Sequence, residues 1–207
     1  MTAKTARKTS RRRPKQRRSR QTVDAILEAV IRLLKRGGPR AITTNRIAEI
    51  AGVSIGSVYQ YFPNKRAIFV ALHQRHVDSI DRMIQGKIME HAAAPLKDLV
   101  RALVEGMAEA HETDPELYGL LFAEVPHRAD GTQEFAVRLH GMFRLAIAAR
   151  AHEVEIKKRR DLDKVVFIVT HMVDALSHGA VLRRPPGLSL AEAKEEAVKA
   201  ILAYLTA

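Results

Sequence analysis

The stretch from Thr43 to Lys65 constrains the fold of this chain most strongly, because it has the pattern of a helix, a tight turn and a second helix. Thr43 or Thr44 can cap the first helix by accepting a hydrogen bond from an unpaired amide of the first turn. Gly52 suits the left-handed conformation that ends many helices, and Ser54 can cap the next helix. The spacing therefore predicts a helix-turn-helix.

The predicted second helix offers small and polar side chains to a partner. Val58 turns inward, which leaves Ser57, Tyr59 and Gln60 largely outward. An α-helix fits the major groove of B-DNA, where glutamine can pair with adenine and hydroxyls can hold phosphates. Helix-turn-helix units also occur in all-α proteins that do not bind DNA. The motif alone leaves both interpretations open.

The order of residues in this segment resembles that of a known family. Ile47–Ser54, IAEIAGVS, is followed by Tyr59–Lys65, YQYFPNK, and together they resemble the DNA-binding domain of the TetR (tetracycline-repressor) family of bacterial regulators. The resemblance runs from about Val23 to Leu72, and the rest matches only in length and helical character. It implies a sequence-specific, DNA-binding transcriptional regulator, most often a ligand-responsive repressor that acts as a homodimer on a palindromic operator.

The resemblance also implies roles for individual residues. Thr44, Tyr59 and Lys65 are expected to contact phosphates, and Tyr61 suits either a phosphate or a base. Five residues fall where members of the family meet bases or nearby backbone: Asn45, Ile55, Gly56, Ser57 and Gln60. Ile55 stands where some relatives have a polar residue, so the most it can offer is contact with a thymine methyl. The operator sequence therefore stays open.

Positive charge is concentrated at the N-terminus. The formal net charge is +12, and ten of the first 20 residues are lysine or arginine while none is acidic. We expect residues 1–18 to form a disordered basic arm. The arm can lie along phosphates or enter the minor groove, or it can be a solvated tail that aids solubility. Its candidate DNA-binding residues are Arg11, Arg12, Arg13, Arg17 and Arg18.

Helical periodicity continues through the chain, and neither a strand pattern nor a repeat is present. We predict an all-α protein of about nine helices, with a helix-turn-helix domain over 19–65 and a helical effector-binding and dimerisation domain over 66–207. The last two helices, about 163–182 and 189–205, are expected to form the homodimer interface. Their apolar faces contain Val165, Val169, Met172, Val173 and Leu176, and Ala197, Val198, Ile201, Leu202 and Leu205.

A small-molecule effector site is expected in the second domain, since apolar residues with a few polar groups are typical of such sites. The same side chains also suit an ordinary core. The candidate residues are Met83, Met107, Phe122, His140, Phe143 and His171.

His171, Asp174 and His178 share one helical face, as metal ligands can. One helix supplies an incomplete set of ligands, so we favour a hydrogen-bonded polar seam and predict no metal or cofactor.

The absence of cysteine excludes thiolate chemistry. No catalytic motif, signal peptide or membrane span is recognisable, and a cytoplasmic, non-enzymatic protein is predicted. A non-specific, nucleoid-type DNA-binding protein and a metal-sensing regulator are the alternatives.

Overall fold

A computed structural model describes three ranges of the chain, and regular structure within them is entirely helical. The contacts divide the chain into two compact units, Met1–Ile68 and Phe69–Ala207. The described ranges are 12–124, 132–153 and 161–206, without the side chains of 12–17, 122, 132 and 133.

The first unit is a small helical domain built on one long helix. Its elements are α1 (Arg12–Gly37), a 3-10 helix (Pro39–Ala41), α2 (Thr44–Ala51), α3 (Ile55–Tyr61) and the beginning of α4 (Lys65–Glu90). Helix α1 buries Ile26, Val30 and Leu34, while Ile47 of α2 and Val58 of α3 are each about 1% exposed. Burial of these aliphatic side chains holds α2 against α1 and α3 against α2.

Helix α1 begins at Arg12, which corrects the predicted start near Ser19. Residues 12–18, for which the charge pattern predicts disorder, are helical. Arginine, lysine and glutamine have high intrinsic helix propensity, and the prediction gave more weight to charge repulsion. Residues 1–11, including Arg11, lie outside the described part of the chain, as do the side chains of Arg12, Arg13 and Arg17.

The second unit packs the remaining helices around one apolar core. After the rest of α4 come α5 (Leu96–Glu112), α6 (Pro115–Glu124), α7 (Thr132–Ala148), α8 (Leu162–Leu182) and α9 (Leu190–Thr206). Helices α5, α8 and α9 all contact one another. The spacing of Ser189 and Glu192 is that of a capping box, and the structure contains it at the start of α9, since the Ser189 amide donates to Glu192 Oε2 at 2.8 Å and the Glu192 amide donates to Ser189 Oγ at 3.2 Å.

The apolar faces predicted to meet a second subunit lie largely in this unit's own core. Ala197, Val198, Ile201 and Leu205 of α9 are at most 4% exposed, and Val165, Val169 and Val173 of α8 are equally buried. These residues pack on the core side chains of α5 and α7. Periodicity shows that one face of a helix is buried, but it does not show what covers that face.

Two charged side chains after α7 join it to the loop between α4 and α5. Arg150 is 4% exposed, and its guanidinium donates to the carbonyls of Ala94, Ala146, Ala92 and His91. Glu153 Oε2 accepts the Leu96 amide at 2.7 Å. A cation thus meets the C-terminal end of α4 and an anion meets the N-terminus of α5, which complements both helix dipoles.

Among the described residues, α8 is the one helix whose length and apolar composition would suffice to cross a membrane. Its Val165, Val166, Val169 and Val173 are at most 3% exposed in the core of the second unit. A core helix of a folded domain meets the same criteria of length and composition. Packing in that core accounts for the apolar character of the buried face of α8.

Candidate nucleic-acid interface

The turn between α2 and α3 has the geometry that its sequence predicts. Of the two candidate caps, Thr43 is the N-cap of α2, where its side chain accepts the Arg46 amide at 3.4 Å. Gly52 has φ 65° and ψ 33°, and its amide donates to the carbonyl of Ala48 at the end of α2. The left-handed glycine ends α2 and redirects the chain toward α3.

Helix α3 is fixed at both ends and along its inner side. The Ser54 hydroxyl caps its N-terminus by accepting the Ser57 amide at 3.0 Å. Val58 is buried in the middle of α3, and Phe62, 7% exposed, follows its last turn. A seven-residue helix is unstable alone, so the cap and the two apolar anchors determine which face of α3 remains outward.

The outward face of α3 presents the residues expected to read DNA. Ile55 is 45% exposed and Tyr59 54% exposed, and Gly56 and Gln60 are also exposed. The Ser57 hydroxyl is half-buried and lies 2.8 Å from the hydroxyl of its cap, Ser54. The face therefore combines a carboxamide, a phenol, an aliphatic group and the exposed backbone of Gly56, and this combination suits a major groove.

The remaining predicted contact residues of the first unit lie around this face. Asn45 is exposed and Thr44 half-buried on the first turn of α2. Tyr61 is held against α1, because its hydroxyl accepts a hydrogen bond from Ser19 Oγ at 3.1 Å. Lys65 Nζ donates to the Pro39 carbonyl at 3.3 Å. Tyr61 and Lys65 therefore brace the helix-turn-helix in this structure, in addition to the DNA contacts predicted for them.

Sequence reasoning passed over three arginines of the same unit. Arg40 in the 3-10 helix, Arg46 in α2 and Arg66 in α4 are all exposed. The segment 43–65 contains a single acid, Glu49, so positive charge dominates this part of the chain. An excess of exposed arginine near a helix-turn-helix is the signal that identifies them as candidate phosphate contacts.

Two family models match the chain over most of its length. Residues 26–72 match the model of bacterial regulatory proteins of the tetR family, and residues 95–205 match that of the tetracyclin repressor-like C-terminal domain. The second match alone covers more than half of the chain. The chain belongs to the TetR family. The all-α fold with an N-terminal helix-turn-helix and a C-terminal helical domain is thereby confirmed.

Curated relatives match over part of the chain. The HTH-type transcriptional repressor KstR of Rhodococcus jostii is 37% identical over 67 residues, which are 32% of this chain and 29% of KstR. The chain spans less than half the length of the curated relatives that it matches. This likeness therefore concerns part of the protein rather than the whole.

Solved structures match over almost the whole chain. A TetR-family transcriptional regulator from Streptomyces coelicolor has a TM-score of 0.64 and 23% identity, with 90% of this chain and 97% of that chain covered. The regulator FadR from Bacillus subtilis, solved in complex with stearoyl-CoA, has a TM-score of 0.62 and 17% identity, with coverage of 89% and 98%. At these identities the likeness shows the fold alone.

The residues predicted to line an effector site are spread over the second unit. Phe143 lines an apolar cavity of about 10 Å³, scarcely enough for one water molecule. Met107 is buried in the core, and Met83 packs against it. His140 Nε2 lies 3.5 Å from Asp163 Oδ1. His171 is exposed beside Phe167, with ring centroids 4.2 Å apart, and the Phe122 side chain lies outside the described part.

The predicted polar seam on α8 divides between two environments. His178 is half-buried, and its Nδ1 lies 3.1 Å from Asp174 Oδ1. His171 Nδ1 instead bonds the Phe167 carbonyl at 2.7 Å on the exposed side of the helix. Within the described ranges, no three histidine, aspartate or glutamate side chains are arranged to hold a metal ion. Asp174 and His178 thus form a hydrogen-bonded pair.

Proposed function

We propose that this TetR-family regulator is a ligand-responsive repressor that binds a palindromic operator as a homodimer. The observation that carries the proposal is the capped and anchored α3, whose outward face presents Tyr59, Gln60 and open backbone at Gly56. The partial likeness of the chain to KstR, a repressor by name, supports repression as the mode of action.

The proposed dimer uses the outer faces of α8 and α9. Phe167, Ile168 and Leu176 of α8 are 54%, 38% and 36% exposed, which is unusual for side chains of this size. Ala200 and Ala203 of α9 are exposed as well, and small residues let helices approach closely. Of these five residues only Leu176 belongs to the faces that the sequence suggested, while the choice of helices stays the same.

The dimer face can be tested by placing a charge on it. Phe167→Glu would desolvate a carboxylate in the interface, so we expect the variant to sediment as a monomer at concentrations where the parent protein is a dimer. Val137→Glu is the matched control, because Val137 of α7 is 68% exposed and lies outside the proposed face. Sedimentation velocity that shows dissociation of the Val137 variant alone would refute this face.

Operator binding by such a dimer places two copies of α3 in successive major grooves, about 34 to 36 Å apart. The basic N-terminal part of α1 would add contacts to phosphates, which release counterions and make the affinity depend steeply on salt. Asn45, Gly56, Ser57 and Gln60 would meet bases and nearby backbone, while Thr44, Tyr59 and Lys65 would hold phosphates.

Effector binding in the second unit would change operator affinity through α4, the helix that contributes residues to both units. The cavity at Phe143 is smaller than any organic effector, so an effector that binds there rearranges side chains of the core. Such a rearrangement gives the ligand-bound and ligand-free states different packing, and a ligand can shift an equilibrium only through such a difference.

Selection of bound sequences from a random pool of duplex DNA tests the proposal. The intact protein and a variant lacking residues 1–18 are compared at one fixed salt concentration. We expect both to enrich the same inverted repeat, with weaker binding after truncation. Tight, salt-sensitive binding without enrichment would contradict sequence reading and support a non-specific DNA-binding protein instead.

A further inference from the structure

Four aromatic side chains from four helices of the second unit form a polar cluster that the sequence does not reveal. His111 of α5 lies at its centre, with ring centroids 4.0 Å from His178 of α8, 5.0 Å from Tyr118 of α6 and 5.2 Å from His76 of α4. His76 and Tyr118 are 4.2 Å apart. We call these four residues the histidine cluster.

The hydrogen bonds of His111 determine its tautomer. Its Nδ1 bonds the backbone carbonyl of Met107, and a carbonyl oxygen only accepts, so Nδ1 carries the proton. In the neutral ring Nε2 is then a bare acceptor. His111 is fully buried, and no described atom donates a hydrogen bond to its Nε2. A buried acceptor of this kind is destabilising unless something satisfies it.

Two further orphaned groups lie on α8, the helix that contributes His178. Thr170 Oγ1 and Ser177 Oγ are buried and lack a hydrogen-bond partner among the described residues. Among the described residues, these two hydroxyl oxygens and His111 Nε2 are the only buried side-chain nitrogen or oxygen atoms without a hydrogen-bond partner. Two of the three unsatisfied atoms therefore belong to α8 and the third to α5, and these two helices pack on each other.

The charges around the cluster limit what can satisfy His111. Burial, and then the neighbouring histidines, lower the pKa of His76 to about 3, and burial followed by His178 lowers the pKa of His111 to about 4. Burial also opposes the charge on His178, but the hydrogen bond that His178 donates to Asp174 and the negative charge of that carboxylate together outweigh burial and raise the pKa of His178. That charge is matched by Asp174. The positive charge of Arg183, which is exposed, acts to lower the pKa of His178. At neutral pH His111 and His76 are thus uncharged, and charge on His178 is paired with Asp174.

We propose that the histidine cluster is the polar end of the effector site and selects an uncharged ligand that donates a hydrogen bond to His111 Nε2. The donor is a hydroxyl or N–H group on an otherwise apolar molecule. This inference rests on the proposed ligand-responsive function and specifies the class of ligand. Half-buried His76 and Tyr118 cover His111, so the ligand reaches Nε2 when these two side chains turn aside. A flat aromatic ligand suits the imidazole and phenol walls.

A matched pair of probes isolates the hydrogen bond. 4-Butylphenol donates from its hydroxyl, whereas 4-butylanisole has nearly the same shape and only accepts. We expect the full-length protein to bind the phenol about tenfold more tightly than the ether, because the ether leaves Nε2 buried and unpaired. Calorimetry measures both affinities, and side-chain ¹⁵N spectra show whether the Nε2 signal of His111 shifts with the phenol alone.

Variants and further probes complete the test. His111→Phe should bind both probes equally, while His91→Phe should keep the preference, since His91 has the same bond to the carbonyl four residues back but lies outside the cluster. Equal affinity of phenol and ether for the parent protein overturns the inference. So does absence of phenol binding up to its solubility, or tighter binding of 4-butylbenzoate or Zn²⁺.

The inference and the proposed function fail in different ways. If the phenol binds with the expected preference but leaves operator affinity unchanged, the ligand-responsive function is refuted and the donor-selective site stands. If a molecule releases the operator without shifting the His111 signal, the function stands and the histidine cluster is refuted as the polar end of the effector site.

Discussion

Gln60 lies exposed on α3, and its carboxamide is the group that pairs with both hydrogen-bonding atoms on the major-groove edge of adenine. We expect Gln60→Ala to weaken operator binding by about 1 to 3 kcal/mol and to relax base preference at one position of each half-site. Gln85→Ala is the control, since Gln85 is exposed on α4 and bonds Asp81 at 3.1 Å. Fluorescence anisotropy at constant salt that gives both variants parental affinity would contradict base reading by Gln60.

Arg150 is the most deeply buried cation among the described residues, and its partners are all backbone carbonyls. Arg150→Met should lower the free energy of unfolding by roughly 3 kcal/mol, because several carbonyls lose a charged donor. Arg144→Met should cost at most about 1 kcal/mol, since the ion pair of Arg144 with Asp163 is exposed. Urea denaturation measures both values, and equal losses would count against a structural role for Arg150.

At the scale of residues, the sequence predicts groups whose partners are close in the chain. Gly52, Ser54 and the Ser189 cap were predictable because each acts within three or four residues. Arg150 and His111 were not, because their roles depend on segments brought together by packing. Arg150 bonds Ala94, 56 residues away, and His111 meets His178 of another helix. Spacing along one helix carries no signal for such contacts.

At the scale of elements, two glycines of the helix-turn-helix should respond oppositely to alanine. Gly52 has φ 65°, so Gly52→Ala should cost about 1 kcal/mol, although an added Cβ meets no described atom within 4 Å. Gly56 is helical, and its added Cβ would lie 3.8 Å from Ser54 Oγ, an ordinary contact. Gly56→Ala should therefore stabilise α3 by up to about 1 kcal/mol.

The same two variants separate stability from DNA binding. Gly56→Ala should lower operator affinity about tenfold, since the methyl keeps the α3 backbone away from the DNA. Thermal unfolding and anisotropy are measured on both proteins. If the Gly56→Ala protein is more stable and binds the operator as tightly as the parent, the prediction that DNA closely approaches the backbone at Gly56 is wrong.

The histidine cluster makes the stability of the second unit depend on pH. The pKa of His111 is about 4 in the folded protein against 6.5 for an exposed histidine, so the unfolded state binds the proton more readily below pH 6.5. The free energy of unfolding should therefore fall as the pH falls from 6.5, by about 2 kcal/mol for His111 by pH 5. His76 acts in the same direction, and His178 opposes them because its pKa is raised.

Urea denaturation between pH 7.5 and 5 measures this dependence. His111→Phe should reduce the slope of the free energy of unfolding against pH. A free energy of unfolding that rises toward pH 5, or a His111→Phe variant with the parental slope, would contradict the neutral, buried state of His111. The His91→Phe protein, changed outside the cluster, should keep the parental slope.

Helix α9 shows how far pattern alone predicts an element. Its limits and its apolar face were predictable from periodicity and the capping box, since both depend on local spacing. The partner of that face was not, because intrachain core and subunit interface require the same apolar stripe. Ile201 and Leu205 are fully buried within their own unit, so this side of α9 belongs to the intrachain core and not to a subunit interface.

At the scale of the whole molecule, the family and the all-α architecture were predictable because the helix-turn-helix has a distinctive order of residues. The site in the second unit was not predictable to the same degree, since Met83, Phe143 and His171 lie in different surroundings. A DNA-reading motif is continuous in sequence, whereas an effector site is assembled from distant helices.

The central claim is that two copies of α3 read two half-sites on one face of the DNA. The most direct test is to insert five base pairs between the half-sites of the selected inverted repeat and measure affinity at fixed salt. The insertion turns one half-site by about half a helical turn, away from the second α3. We expect the affinity to fall to that for a duplex with a single half-site. Unchanged affinity for the duplex with the insertion would contradict it.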